Sequence, residues 1–282
     1  MKPTQKQLRL KNSLESLYLK YNKREYLNWD PLGLLDASLC PFDFEIVSLL
    51  AAGLAYGRVE QSRKSLTLLL QRLGALGVQE NGSGLRKFLE KDFDKRKLNS
   101  VVKGWKHRLN THFDIVELFG NLHSIFQSNK SIAELFQRKF DSNPKLHLEN
   151  FCEALAPMTK SKNPGTGASW FAASPARGSS CKRFLLWLKW MIRKDEIDTG
   201  LWQSEELLNP QLPRPCVSRL FIPVDTHLYK WAIKNGATKR KNISWKMSEE
   251  LTAFLLKICP EDPVRYDFAI CHQGIMEFRK LD

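Results

Sequence analysis

Two short segments hold side chains whose types and spacing could do chemistry. In Ile222-Pro223-Val224-Asp225-Thr226-His227 a single carboxylate follows a rigid proline and heads a run in which Leu228, Trp231, Ala232 and Ile233 keep a helical period. Thr226 would cap that helix, and Asp225 would sit at its N-terminal end, where the helix dipole favours negative charge. A carboxylate there, facing a cleft, can stabilise a developing cation or activate a nucleophile; the plainer reading of Asp225 is a residue that only caps a helix. His227 lies on an otherwise apolar face and reads as a packing group before a general base. In Gly178-Ser179-Ser180-Cys181-Lys182 a loop leads into a helix whose body, Phe184, Leu185, Trp187, Leu188, Met191 and Ile192, is apolar. Backbone amides at such a helix start can bind phosphate, and Gly178 permits close approach. Lys182 then has three readings: a phosphate contact, an amine partly desolvated by Trp187 and Phe184 that attacks an electrophilic carbon, or a solvated lysine.

Helices must position these groups, because apolar residues recur at three- and four-residue spacing and alternating β-branched stretches are few. The pattern predicts an all-α fold, with helices over 8–19, 42–55, 61–73, 84–93, 115–126, 131–140, 147–155, 182–193, 248–258 and 263–275, and one more following Asp225. Irregular stretches are expected at 157–178 and 209–219, where Pro, Gly and Ser collect. The 282 residues allow one large domain or two modest ones.

Lys plus Arg exceed Asp plus Glu by 44 − 30 = +14. Residues 1–24 hold seven basic side chains against Glu15 alone, 177–194 hold six with no acid, and Lys95-Arg96-Lys97 and Lys239-Arg240-Lys241 add two more blocks. A polyanion is the partner such charge attracts. The six cysteines are scattered and form no Cys-x-x-Cys pair, which argues against a disulfide framework, a zinc ribbon or a compact iron-sulfur cluster and fits a reduced, cytoplasmic compartment. His107, His112 and His123 lack a carboxylate or thiol at ligand spacing and read as surface or packing residues. No signal peptide and no apolar run long enough for a membrane span is read.

Taken together, the segments resemble the helix-hairpin-helix DNA glycosylase superfamily, in its endonuclease III-like branch. In that hairpin, roughly Gly-x-Gly-x-Lys, Gly178 falls on the first glycine, Ser180 replaces the second and Lys182 falls on the catalytic lysine. Val224-Asp225-Thr226-His227 matches the downstream segment outright, and 41–52 is similar to the helix before the strand-invading loop. A closer likeness, over most of the chain, is to an uncharacterised bacterial protein group distantly related to those glycosylases, through Leu54-Ala55-Tyr56-Gly57-Arg58, Cys181-Lys182-Arg183, Trp190-Met191-Ile192-Arg193 and the stretch from Pro260 to Ala269. The lysine and aspartate stand 225 − 182 = 43 residues apart, so an insertion is expected to loop out within 194–220, and the family's four-cysteine cluster is missing.

The resemblance implies a base-excision DNA glycosylase or abasic-site lyase working on double-stranded DNA. Lys182 would attack the sugar C1′ and form a Schiff base, and Asp225 would stabilise the cationic sugar. Gly178, Ser179, Ser180, Cys181 and Arg183 would grip phosphates, and Tyr56 and Arg58 would wedge into the duplex. The implied architecture is a central helical part over 39–194 and a second part made of 1–38 and 195–282, with Lys182 and Asp225 on opposite walls of the cleft between them. The expectation is a monomer needing no cofactor or metal and no membrane. The competing reading keeps the fold and drops the chemistry, giving a structure-selective nucleic-acid-binding module in which Lys182 and Asp225 form an ion pair. A metal-dependent nuclease would need a carboxylate cluster, whereas Glu261 and Asp262 lie between prolines and read as a turn.

Overall fold

In the computed structural model, residues 4–157 and 167–279 are described; Lys2 of the N-terminal basic block and 158–166 of the expected irregular stretch lie outside them. The described chain is mostly helical, as the spacing predicts. In order come α1 (Gln5–Tyr21), α2 (Pro41–Gly53), α3 (Val59–Leu73), α4 (Leu85–Lys91), α5 (Lys95–Val102), α6 (His112–Phe126), α7 (Ile132–Arg138) and α8 (Pro144–Leu155). After the irregular stretch follow α9 (Lys182–Ile192), α10 (Thr226–Lys234), α11 (Trp245–Leu256) and α12 (Asp267–Arg279). Local chemistry sets many starts: a reciprocal Thr4–Gln7 capping box opens α1, Pro41 occupies the first turn of α2, and Asn143 caps α8 ahead of Pro144.

Two features escape the helical pattern. α5 has only Leu98 and Val102 buried, behind the Lys95-Arg96-Lys97 run that reads as a charged surface. A two-stranded antiparallel hairpin, β1 (Lys106–His107) and β2 (Asn110–Thr111), follows it, and its turn is made by Arg108 and Leu109 without glycine or asparagine. Arg108 takes a left-handed φ of +50°, which costs a non-glycine residue on the order of 1 kcal/mol.

The chain divides into two compact units. One comprises Met1–Asn28, Gly178–Gly200 and Cys216–Asp282; the other comprises Trp29–Arg177 and Leu201–Pro215. This partition groups α9 with the terminal segments rather than with 39–177, so Lys182 and Asp225 belong to the same unit.

In the unit holding α2 to α8, α2 is buried almost throughout and carries Glu45 at its centre. The Glu45 carboxylate accepts the Ile132 and Ala133 amides that open α7, at 2.9 and 2.7 Å, and the Trp202 indole N–H at 2.7 Å. Burial drives its carboxyl up to about 7 even against those three donors. Trp202 itself packs on Phe136 and Phe151, and the Lys130 ammonium donates to the Leu208 carbonyl. The stretch expected to loop out therefore delivers a fully buried tryptophan to this core.

In the other unit α12 packs against both α1 and α10. Trp187 and Trp190 of α9 lie in its core, each at most 1% exposed. Among the described residues no helix is long and apolar enough to cross a membrane.

Candidate active site

α9 starts at Lys182 because the chain turns through the left-handed region twice just before it, at Gly178 (φ +71°) and Cys181 (φ +54°). Glycine adopts that conformation freely; Cys181 is held there by its amide donating to Ser179 Oγ and its thiol donating to the Ser179 carbonyl, each at 3.2 Å. Ser180 has no positive φ, so the serine in place of a second glycine strains nothing. No side chain caps the first turn of α9, while Phe184 and Trp187 are buried behind it and Lys182 is half-buried at its head. Ahead of this loop stands a short 3-10 turn, Pro175–Arg177, rather than an α-helix.

Asp225 is positioned by α11. Thr252 Oγ1 accepts the Ile222 amide at 3.0 Å and Ser248 Oγ donates to the Ile222 carbonyl at 2.6 Å, which pins the segment leading to the acid. Asp225, not Thr226, is the cap of α10: its Oδ1 accepts the Leu228 amide at 2.7 Å, and Thr226 is the exposed first residue of the helix. The two readings of this acid thus coexist in one side chain, one oxygen capping the helix and the other left over. His227 packs as expected, its ring lying so close over Gly274 of α12 that a methyl there would collide with it. Beside that contact, Lys230, Trp231 and Lys234 face Gln273 across an open cleft of about 290 Å³.

Lys182 and Asp225 head two helices of the same unit, and α12 packs against the second of them. Cys271 stands one helical turn before Gly274, on the face that meets α10. Burial and the charges of Asp225 and Asp267 push its thiol well above the usual value, against the pull of Lys182 and Lys189. Among the described residues no carboxylate lies within 4.0 Å of the Lys182 ammonium, so the ion pair of the binding-module reading does not form.

Tyr56 and Arg58 belong to the other unit. The Tyr56 hydroxyl is committed to the hairpin, 2.8 Å from the His107 carbonyl and 2.7 Å from Asn110 Oδ1, and the Arg108 guanidinium covers its ring at 5.6 Å. Tyr56 is thus immobilised, and the exposed apolar residue of this hairpin is Leu109, 61% exposed at the turn between Arg108 and β2. Arg58, Lys103, Lys106 and Arg108 are all exposed along this part of the chain. Neither Arg108 nor Leu109 is picked out by sequence, since a hairpin turn without glycine leaves no signal. His107 and His123 are spent on packing: Nδ1 of one pairs with Ser65 Oγ, and Nδ1 of the other pairs with the Leu89 carbonyl. Among the described residues no cluster of His, Cys, Asp or Glu could hold a metal ion.

Sequence reasoning also misses a buried charge network behind the site. Lys189 Nζ lies 2.7 Å from Asp267 Oδ2 and 3.6 Å from Asp198 Oδ1. Arg193 lies 2.7 Å from Asp262 Oδ2 and 2.8 Å from Asp198 Oδ2, and also reaches Asp195. Tyr18 and Asn22 of the N-terminal segment each donate to Asp195 at 2.8 Å. Burial opposes charge on Lys189, but Asp198 and Asp267 outweigh it and hold the ammonium protonated above its ordinary range. Burial likewise works against Asp195, and Arg193 holds that carboxyl well below the usual carboxylate range. Asp262, expected in a turn, is in a turn and serves this network as well. Pairs 69 and 78 residues apart leave no periodic trace by which they could be found.

No curated protein and no solved structure matches the chain. Residues 30–276, which take in both candidate residues, match the family described as "Protein of unknown function (DUF2400)", and the chain belongs to that family.

Proposed function

We propose that this protein is a nucleic-acid-processing enzyme of helix-hairpin-helix glycosylase type, a base-excision DNA glycosylase or abasic-site lyase acting on double-stranded DNA. The observation that carries the reading is that one compact unit holds both an amine with no ion-pair partner among the described residues, at the uncapped start of α9, and a carboxylate held at the start of α10. A neutral Lys182 attacks C1′ of the sugar. The C1′–N bond breaks, its electron pair leaves with the base, and the base takes up a proton. Ring opening then gives an iminium between Lys182 and C1′. The unshared oxygen of Asp225 offsets positive charge on the sugar as the base departs. The first-turn amides of α9 and the exposed basic residues suit phosphate oxygens, which position a strand without reading its sequence. Leu109, an exposed apolar side chain flanked by Arg108 and Lys106, suits insertion between base steps better than the immobilised Tyr56 does.

Borohydride trapping on a panel of lesion-bearing and abasic duplexes tests this. The wild type is expected to form a covalent adduct that Lys182→Ala abolishes and Asp225→Asn slows by on the order of a hundredfold or more. If every duplex is bound and none is trapped, the chemistry is wrong and a structure-selective binding module stands in its place.

A further inference from the structure

The cleft between α10 and α12 is built from two matching stripes. His227, Trp231 and Lys234 recur at helical spacing along α10, and Ile270, Gly274 and Glu277 do the same along α12. The two helices pack against each other, and the open space of about 290 Å³ follows their seam for about two turns, on the order of 10 Å. A glycine inside a helix weakens it, and Gly274 is what lets the His227 ring lie against the α12 backbone: an added methyl would stand 2.2 Å from its Nδ1. Trp231 occupies the middle of the α10 stripe, its ring steadied by an edge contact with Phe254 of α11 at 6.5 Å between centroids. Lys230 and Lys234 are exposed on either side of it in sequence, and neither ammonium has a carboxylate within 4.0 Å among the described residues. Glu277 is the one acid among the described residues that line the cleft.

We propose that this groove is a site for single-stranded nucleic acid, in which one unpaired base stacks on Trp231 while Lys230 and Lys234 hold the phosphates flanking it. An aromatic ring between two unpaired cations suits this ligand, because every base offers a π-face and every linkage a negative charge. Lysines four residues apart on a helix are close enough to meet adjacent phosphates of one strand. The size agrees: about 290 Å³ is at the lower end of ligand pockets and has room for one nucleotide. An acidic peptide would meet the same cations but would have no use for the indole. The position agrees as well, since the stripe begins two residues after Asp225, and a strand whose sugar lies at that acid continues along α10 into the groove. The inference rests on the reading of nucleic acid as the partner, to which it adds a hold on unpaired strand, and it does not depend on the chemistry of Lys182.

The experiment measures, by fluorescence anisotropy at several salt concentrations, how the full-length protein binds a labelled thymidine octamer. A strand of equal length whose sugars are tetrahydrofuran and carry no base is measured beside it. For the octamer, Lys230→Gln combined with Lys234→Gln is expected to lower the slope of log affinity against log salt by about 1.4, at about 0.7 per phosphate contact. Trp231→Ala is expected to weaken binding about tenfold with the slope kept, and Trp231→Phe to restore most of the loss. The base-free strand should bind the wild type and Trp231→Ala alike, which a damaged fold would not allow. An unchanged slope in the folded lysine variant would overturn the site, and so would equal losses on both strands in a folded Trp231→Ala. Displacement of the octamer by a glutamate peptide of equal charge at equal concentration would assign the groove to an acidic protein segment and overturn it too. Borohydride trapping on duplexes separates the groove from the Schiff-base reading. An adduct from the wild type, with octamer affinity unchanged in the groove variants, removes the groove and keeps the chemistry. The stated losses of octamer affinity, with no adduct on any duplex, keep the groove and remove the chemistry.

Discussion

Asp225 serves the fold and the proposed reaction with different oxygens, and substitutions can separate the two. Oδ1 closes the first turn of α10 by accepting the Leu228 amide. Asp225→Ala should therefore lower stability by about 1 kcal/mol in urea unfolding, whereas Asp225→Asn, which caps as well, should unfold with the wild type. Equal losses in both variants would mean that the cap contributes nothing and that charge alone matters there. The position of this residue was legible in sequence, because a proline, a short polar residue and a helical period follow one another along the chain. The choice of Asp225 over Thr226 as the cap was not legible, since both types cap helices and only the backbone dihedrals decide. Lys182 was found for a similar local reason, a glycine loop running into an apolar helix.

At the scale of elements, α2 and α7 meet through Glu45, and their union depends on pH. The group ionises at about 7 in the fold against an ordinary 4.5, because burial outweighs the amides of Ile132 and Ala133 and the indole of Trp202. Below 4.5 the folded and unfolded chains both hold the proton and the site costs nothing. Between 4.5 and 7 the unfolded chain releases it first, so stability falls as pH rises, and above 7 the loss levels off at about 3 kcal/mol. Urea midpoints taken between pH 5 and 8 should show this decline in the wild type and a flatter line in Glu45→Gln; parallel lines would rule out Glu45 as its source. Helices with several apolar turns, α2, α6 and α9 among them, were legible from periodicity alone. α5 was not, since two buried residues behind three cations look like a solvated surface. The hairpin was not, since its tightest residue is an arginine forced into a conformation normally left to glycine.

The molecule as a whole has two cores, and neither is a single piece of chain. Trp202 shows what this means for stability. It arrives from a stretch that sequence spacing marks only as an insertion, yet it packs on Phe136 and Phe151 and donates to Glu45. Trp202→Ala should cost about 3–5 kcal/mol, and the loss of amide hydrogen-exchange protection should concentrate in α2, α7 and α8, sparing α9 and α12. Uniform loss across all helices would show that the two units unfold as one. The excess of +14 charges is visible in composition, but its distribution is not: Lys189 of α9 and Arg193 just after it turn inward to aspartates, while those around α5 and the hairpin stay exposed.

The pairing of α1 with α12 also constrains how the molecule is made. Glu15 accepts hydrogen bonds from Arg265 and Tyr266, partners 250 and 251 residues later in the chain. A nascent chain therefore exposes α1 early and cannot dock it until nearly everything else has been synthesised. The same delay applies to Lys189 of α9 and to Arg193 just after it, which have no complete set of counter-charges until Asp262 and Asp267 emerge. The unit that holds the candidate site is thus the slow one, closed by contacts of very high sequence separation, and α12 is the piece that closes it.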